Sequence, residues 1–425
     1  MKKIICSMIV SILILTSFIG CKSSDKSNVV NISILNSKPE ITVALHEAAK
    51  DFMEENEDIN IKLVKYSQSS SYIEKVNFMY EAGNAPTMII MDSAHIRSFK
   101  DKFVDLSTEE WIKDITGNIP DIAKNDSGNI IGFPFTTEGM GFIYNKKVTD
   151  EAGIDVKGIN SISALEEAFN KVNAIGKDAI IVTNEEWSLG DHFLSTFYSI
   201  DSEKSGMNTE MYFENLKNTP EDIKNNEVLN GLIDTFDLMK KYNMYGDNPM
   251  SPSYDKCAEL LGKGDVGFWY MGNWASMNIL SNSNGNNEFG FISVPVSNDS
   301  NAYGQNEIVV DVTKYIVIDS NNSLEQQEAA KRFLNYLVYN EKGNEFIVED
   351  CGIIPSFNNI KVSQTDPLVS DIIKYRNDNK TMDFMTSYLP SNNSAIVGNL
   401  LRRYLNNEIT RENLLDEICN FWANI

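Results

Sequence analysis

Cysteine is scarce in this chain. Of 425 residues only five are cysteine, at positions 6, 21, 257, 351 and 419, and no two lie close together. That spacing makes neither a disulfide framework nor a zinc motif. Cys257, Cys351 and Cys419 read as small buried apolar residues. Histidine is scarcer still, with only His46, His95 and His192. No G-x-S-x-G, HExxH or Walker pattern is present, so neither a metal nor a cofactor is expected. Positive charge is also in deficit: 37 Lys and Arg stand against 60 Asp and Glu, for a net charge of −23. Affinity for a phosphate backbone comes from clustered Lys and Arg, so a nucleic-acid partner is excluded. Repeats and heptads are missing, and no Pro- or Ser-rich join divides the folded part into beads.

One long uncharged run exists. "MKK" carries two positive charges, and no charge follows from Ile4 to Gly20. A basic start, an apolar stretch and a small residue form a secretory signal. "FIGC" resembles a bacterial lipoprotein processing site, although Phe18 stands where leucine is usual. The resemblance implies removal of residues 1–20, lipidation of Cys21, a flexible linker over 21–29 and anchoring to the outer face of the cell membrane.

Beyond the linker, periodicities alternate between two and 3.6 residues. "NVVNISIL", "INIKLVKY" and "PTMIIMD" read as strands, and "ITVALHEAAKDFMEEN" and "YIEKVNFMYEAG" as the helices between them. A β-α-β-α-β run of this kind predicts a parallel, doubly wound sheet. Its ligand rim lies at the strands' carboxyl ends, where Ser37 and Lys38, Gln68 to Ser71, and Asp92 should converge. Further on, "SISALEEAFNKVNAIG" predicts a helix capped by Ser163, with Glu166 three residues later. "DAIIVTNEEW" and "TKYIVID" predict strands, and "VLNGLIDTFDLMKKYNMYG" and "LEQQEAAKRFLNYLVYN" long helices. At least two α/β units follow, joined by several crossings.

"GKGDVG", Gly262 to Gly267, matches the glycine spacing of a dinucleotide-binding loop. That motif needs a strand before it and a helix after it. Here a helix, "YDKCAELLGKGDV", runs into the glycines and strand-like "VGFWYM" leaves them. The helix N-terminus that would hold a pyrophosphate is missing, so the glycines are a helix stop and a turn. Trp269 and Tyr270 point to opposite faces of the strand, and one of them is expected in the core.

"AELLGKGDVGFWYMGNWA" resembles a segment of the extracellular solute-binding proteins of ATP-binding-cassette (ABC) importers, in their maltose-binding, carbohydrate branch. "ITVALHEAAKDFMEENEDINIKL", "NAPTMIIMD", "IIGFPFTTEGMGFIYNK" and "AAKRFLNYLVYNEKGNEFIVEDCGIIPSF" agree in order and spacing, covering roughly residues 30–425. The resemblance implies an α/β, two-lobed periplasmic-binding-protein fold of type II. One lobe would hold 30–138 and 312–342, the other 139–311 and 343–425. It implies a non-catalytic monomer that captures a sugar in the cleft and closes about its hinge. The closed form would deliver the sugar to permease subunits coupled to a cytoplasmic ATPase.

A sugar binder needs flat aromatics against C–H faces, and carboxylates and amides around the hydroxyl rim. Trp274 follows Gly272 and Asn273 just past a strand end and matches the family's stacking tryptophan. Glu186 and Trp187 end "IVTNEEW", where the family places an acid and an aromatic. Glu138 lies in the first crossing, Asp311 in the second, Asp92 at the end of an apolar strand, and Tyr388 near a third family aromatic. Met91 replaces the tryptophan of the maltose-binding prototype and Thr87 its acid, so maltose itself does not carry over. A non-sugar solute (polyamine, peptide or metal) and a secreted glycosidase are the alternatives.

Overall fold

The computed structural model describes residues 29–66, 71–117, 119–362 and 365–425. The expected signal, Cys21 and most of the Gln68–Ser71 rim segment lie outside the described residues.

Strands β1 (Val30–Leu35), β2 (Ile59–Val64) and β3 (Met88–Asp92) are parallel, with β1 between the other two. Helices Thr42–Glu55 and Tyr72–Glu81 make the crossovers. Alternation places Ile32 and Ile34 in one core, against Phe52 and the helix Leu324–Tyr339, while Leu35 and Ile89 enter a second core on the other face. β3 is apolar on both faces because both are covered. Each isoleucine buried this way stabilises the sheet by about 1.5–3 kcal/mol.

Two long strands carry the sheet onward. β4 (Phe133–Asn145) and β8 (Ile308–Ile318) are antiparallel partners, and β8 also pairs with β3. β4 continues into the second half, where it pairs with β6 (Val266–Gly272) and β7 (Phe289–Ile292). β5 (Asp178–Ile181) closes that edge, parallel to β6, and the two-residue β9 (Thr381–Met382) joins β8. The strand order is β2-β1-β3-β8-β4-β6-β5. β4 and β8 are therefore the shared crossing between two α/β halves. Register shifts interrupt them between Pro134 and Thr137 on β4, opposite Val312 to Tyr315 on β8. Bulges of this kind bend a ladder and re-aim side chains.

Four expectations change. The cap of helix Ile162–Ala174 is Ser161, whose hydroxyl accepts from Ala164 N; Ser163 instead bonds Asn298. Trp269 and Tyr270 are both core, because each face of β6 is covered by helices. The strand read in "DAIIVTNEEW" ends at Ile181, and Trp187 opens a wide π-turn over Trp187–Phe193. Phe346, Ile353 and Phe357 pack in the core of the first half, although 343–425 is expected in the second. Among the described residues no helix is long and apolar enough to cross a membrane.

Candidate functional site

Where the carboxyl ends of β1, β3 and β6 approach one another, a cavity of about 490 Å³ opens against the crossing strands. Its size falls within the range of small-molecule sites, about 300–1,000 Å³.

One wall comes from the first half. Beyond β1, Asn36 ties the loop by accepting from Lys38 N (2.8 Å) and donating to Lys38 O (2.7 Å). The fixed backbone sends Lys38 inward, where its Nζ lies 2.8 Å from Glu138 Oε1. Thr313 Oγ1 donates to the other oxygen of Glu138 at 2.6 Å. Burial alone would raise the Glu138 carboxyl, but Lys38 and Lys314 outweigh it and hold it below the ordinary value. Desolvation pulls Lys38 down, and Glu138 and Glu40 more than reverse this. Asp92 ends β3 directly opposite Lys314, and the two side chains form an ion pair. Each of these two carboxylates thus has its own lysine, fixed by the fold.

The facing wall is aromatic. A π-turn closes at i→i+5, which brings Trp187 and His192 to one side with ring centres 5.1 Å apart. Trp274 lies 5.2 Å from His192 and 6.2 Å from Trp187; Phe384 lies 5.1 Å from His192. Burial in this cluster pushes the His192 imidazole down to about 4, so it is neutral near pH 7. The π-turn sits this deep because two glycines touch: a Cβ on Gly190 would stand 2.5 Å from Gly398 N. Trp274 lies flat over Gly272, where a Cβ would meet its ring at 2.0 Å.

Three polar atoms of the lining lack a hydrogen-bond partner among the described residues: Ser37 Oγ, His95 Nδ1 and Thr386 Oγ1. Buried polar groups are nearly always paired. Three such atoms belong to residues that line this one cavity.

Eight side chains are expected at the ligand, and the structure brings four of them here: Trp274, Trp187, Glu138 and Asp92. Ser37 and Lys38 join them, as the rim argument implies. Glu186 lies outside the lining and pairs with Arg402 at 2.5 Å. Asn273 is turned back into the fold, where its Oδ1 accepts from Gly139 N at 2.9 Å and pins the Trp274 turn to β4. Asp311 is turned to the segment after β9, accepting from Val312 N (2.6 Å) and Phe384 N (3.2 Å). Tyr388 stacks on Phe213 at 5.6 Å, with the Arg97 guanidinium 4.5 Å above its ring. His192, Phe384, His95, Thr313, Lys314 and Thr386 enter the site without having been singled out. The five-residue interval from Trp187 to His192 is visible, but it has meaning only in a π-turn. The register shift on β8 hides Thr313 and Lys314 from any reading based on alternation.

Comparison with known proteins agrees with this architecture. The family described as "Bacterial extracellular solute-binding protein" matches residues 47–372. No curated protein matches the chain in sequence. Among solved structures, the solute-binding protein RafE in complex with raffinose is 19% identical, with a TM-score of 0.76 over 93% of this chain and 99% of that one. A sugar transporter protein from Bacillus licheniformis in complex with stachyose is 16% identical (TM-score 0.71; 93% of this chain, 100% of that one). Maltose-bound MalE3 of T. maritima is 15% identical (TM-score 0.69; 93% and 99%). At these identities the likeness is one of fold.

Proposed function

The chain belongs to the bacterial extracellular solute-binding proteins, and from that premise we propose that it captures a sugar or oligosaccharide in the cavity between its two halves. The observation that carries this reading is the pairing of an aromatic wall, Trp187, His192, Trp274 and Phe384, with a wall of hydrogen-bonding groups that includes three orphaned polar atoms. Stacked rings take the C–H faces of a pyranose, and fixed carboxylates and hydroxyls take its rim. Three similar structures that hold raffinose, stachyose or maltose support the ligand class.

Lys38 and Lys314 pair with Glu138 and Asp92, but Glu40 and Asp191 also line the cavity, so a polyamine is the alternative ligand that the titration below must separate from a sugar. Ligand bridging the two walls would favour the closed arrangement, which a permease of an ABC importer then receives. Lipid on Cys21 would hold the protein at the outer face of the membrane. The role is binding, without turnover.

The test is intrinsic tryptophan fluorescence titrated with sugars, oligosaccharides and polyamines. A saturable response to a sugar that is lost in Trp274→Ala is expected. A response to a polyamine alone, or full affinity in Trp274→Ala, overturns the reading.

A further inference from the structure

The lining of the aromatic cavity is not electrically balanced. Glu40, Asp92, Glu138 and Asp191 contribute four carboxylates, against two lysines, Lys38 and Lys314. The lysines serve the first three acids: Lys38 pairs with Glu40 and Glu138, and Lys314 with Asp92. Asp191 meets only neutral partners among the described residues. The buried Asn393 donates to its Oδ1 at 2.8 Å, and Ser394 bonds it as well. The histidines offer no compensation, because burial holds both His95 and His192 below the ordinary imidazole value. Burial also raises the Asp191 carboxyl, to about 6, against the opposing effect of those two hydrogen bonds. The group is still largely ionised at pH 7, which leaves the lining two negative charges in excess.

Asp191 is fixed beside the rings. It lies in the π-turn Trp187–Phe193, and Asn393 Nδ2 clasps that turn by donating to Gly190 O (3.0 Å) as well as to the carboxylate. The same turn supplies Trp187 and His192 to the aromatic wall, next to Trp274. A carboxylate withdrawn from water is costly until a charge pairs with it. A sugar hydroxyl would satisfy a lone pair of Asp191 but leave that charge unbalanced. A cation would balance it, and an indole face attracts a cation in its own right.

We infer that the sugar bound here is an amino sugar, its protonated amine held by Asp191 against the tryptophan wall. Asp191 is the residue that sets this specificity. A linear polyamine carries the charge but has no ring C–H face to lay on the indoles; an N-acetylated sugar has the face but not the charge. The inference rests on the sugar reading above and narrows it from any sugar to one with a free amine.

Calorimetry at pH 7 with matched trios separates the two claims. Glucosamine, glucose and N-acetylglucosamine form one trio, the galactose counterparts a second, and the β-1,4-linked dimers to tetramers of the first trio a third, with spermidine and choline as cations that are not sugars. The amine member of a trio should bind at least about tenfold more tightly than its hydroxyl and N-acetyl counterparts. Asp191→Asn should bring the amine-to-hydroxyl ratio to within about twofold. Asparagine keeps an oxygen for the Asn393 donor, so the turn should hold, and an unchanged melting temperature checks this. Equal affinity across a trio, or preference for its hydroxyl or N-acetyl member, overturns the amine and leaves the sugar reading intact. An amine preference that survives in Asp191→Asn overturns the assignment to Asp191. Binding of spermidine or choline without any sugar, or no binding at all, overturns both readings.

Discussion

Lys38 Nζ stands 2.8 Å from Glu138 Oε1, joining the loop after β1 to the strand that crosses between the halves. Both groups are buried, so the pair couples the first half to the crossing in a place where water does not compensate. Removing one partner of such a pair costs about 3–5 kcal/mol, because a charge is left buried alone. Lys38→Met should therefore lower stability by that order in urea unfolding at pH 7. Lys38→Met with Glu138→Gln should recover part of the loss. The pH dependence has a definite sign. Lys38 and Lys314 hold the Glu138 carboxyl below its ordinary value against the opposing effect of burial. Its contribution is present above about pH 4.3 and is lost as pH falls through the folded value. Glu138→Gln should remove that acid slope.

Asp311 behaves in the opposite way. Burial, reinforced by Asp383, raises its carboxyl to about 7, and the N–H groups of Val312 and Phe384 only partly offset this. A raised carboxylate binds more protons folded than unfolded, so its contribution is present below about pH 3.9 and is lost as pH rises towards 7. Asparagine keeps an oxygen for the Phe384 N–H and cannot ionise. Asp311→Asn should raise the melting temperature relative to the parent more at pH 8 than at pH 5. An equal effect at both pH values would count against the shifted carboxyl.

These groups also mark how far the sequence can be read. The β-α-β-α-β opening, the crossing at Glu138 and the turn at "GNW" are legible because local periodicity and strand ends encode them. Asp311 is not, because its side chain is directed where the crossing strands lose strict alternation. His192 and Phe384 come to Trp274 from a π-turn and from the segment after β9, and no local pattern signals either meeting. Glu186 sits beside Trp187 in sequence, yet Arg402, more than two hundred positions away, takes its carboxylate. The core is written in local pattern; the second half of the site depends on long-range packing.

Arg97, just past β3, crosses to the second half and meets Glu210 Oε1 at 3.0 Å and the Tyr388 ring at 4.5 Å. This contact lies outside the aromatic cavity, so it bears on closure rather than on sugar chemistry. The ion pair is largely exposed, and such pairs contribute about 0.2–1 kcal/mol. Arg97→Ala should weaken sugar affinity by about two- to fivefold, chiefly through faster dissociation, without changing the ranking of sugars. Stopped-flow fluorescence checks this. A changed ranking would mean that Arg97 contacts ligand.

Gly272 offers the sharpest test of the aromatic wall. The Trp274 ring covers its α-carbon, and a methyl there would overlap the ring at 2.0 Å. The backbone at Gly272 is extended (φ −108°), a conformation alanine adopts without strain. The methyl must therefore displace the ring rather than the chain. Asn273 opposes a compensating backbone shift, since its side chain is bonded to Gly139 N on β4. Gly272→Ala should thus lose sugar binding nearly as fully as Trp274→Ala, while far-ultraviolet circular dichroism stays unchanged. The melting temperature should fall by only a few degrees, consistent with about 1–3 kcal/mol of local overpacking. If Gly272→Ala binds sugar normally, Trp274 either does not stack on the ligand or is free to move, and the aromatic wall would have to be rebuilt around Trp187.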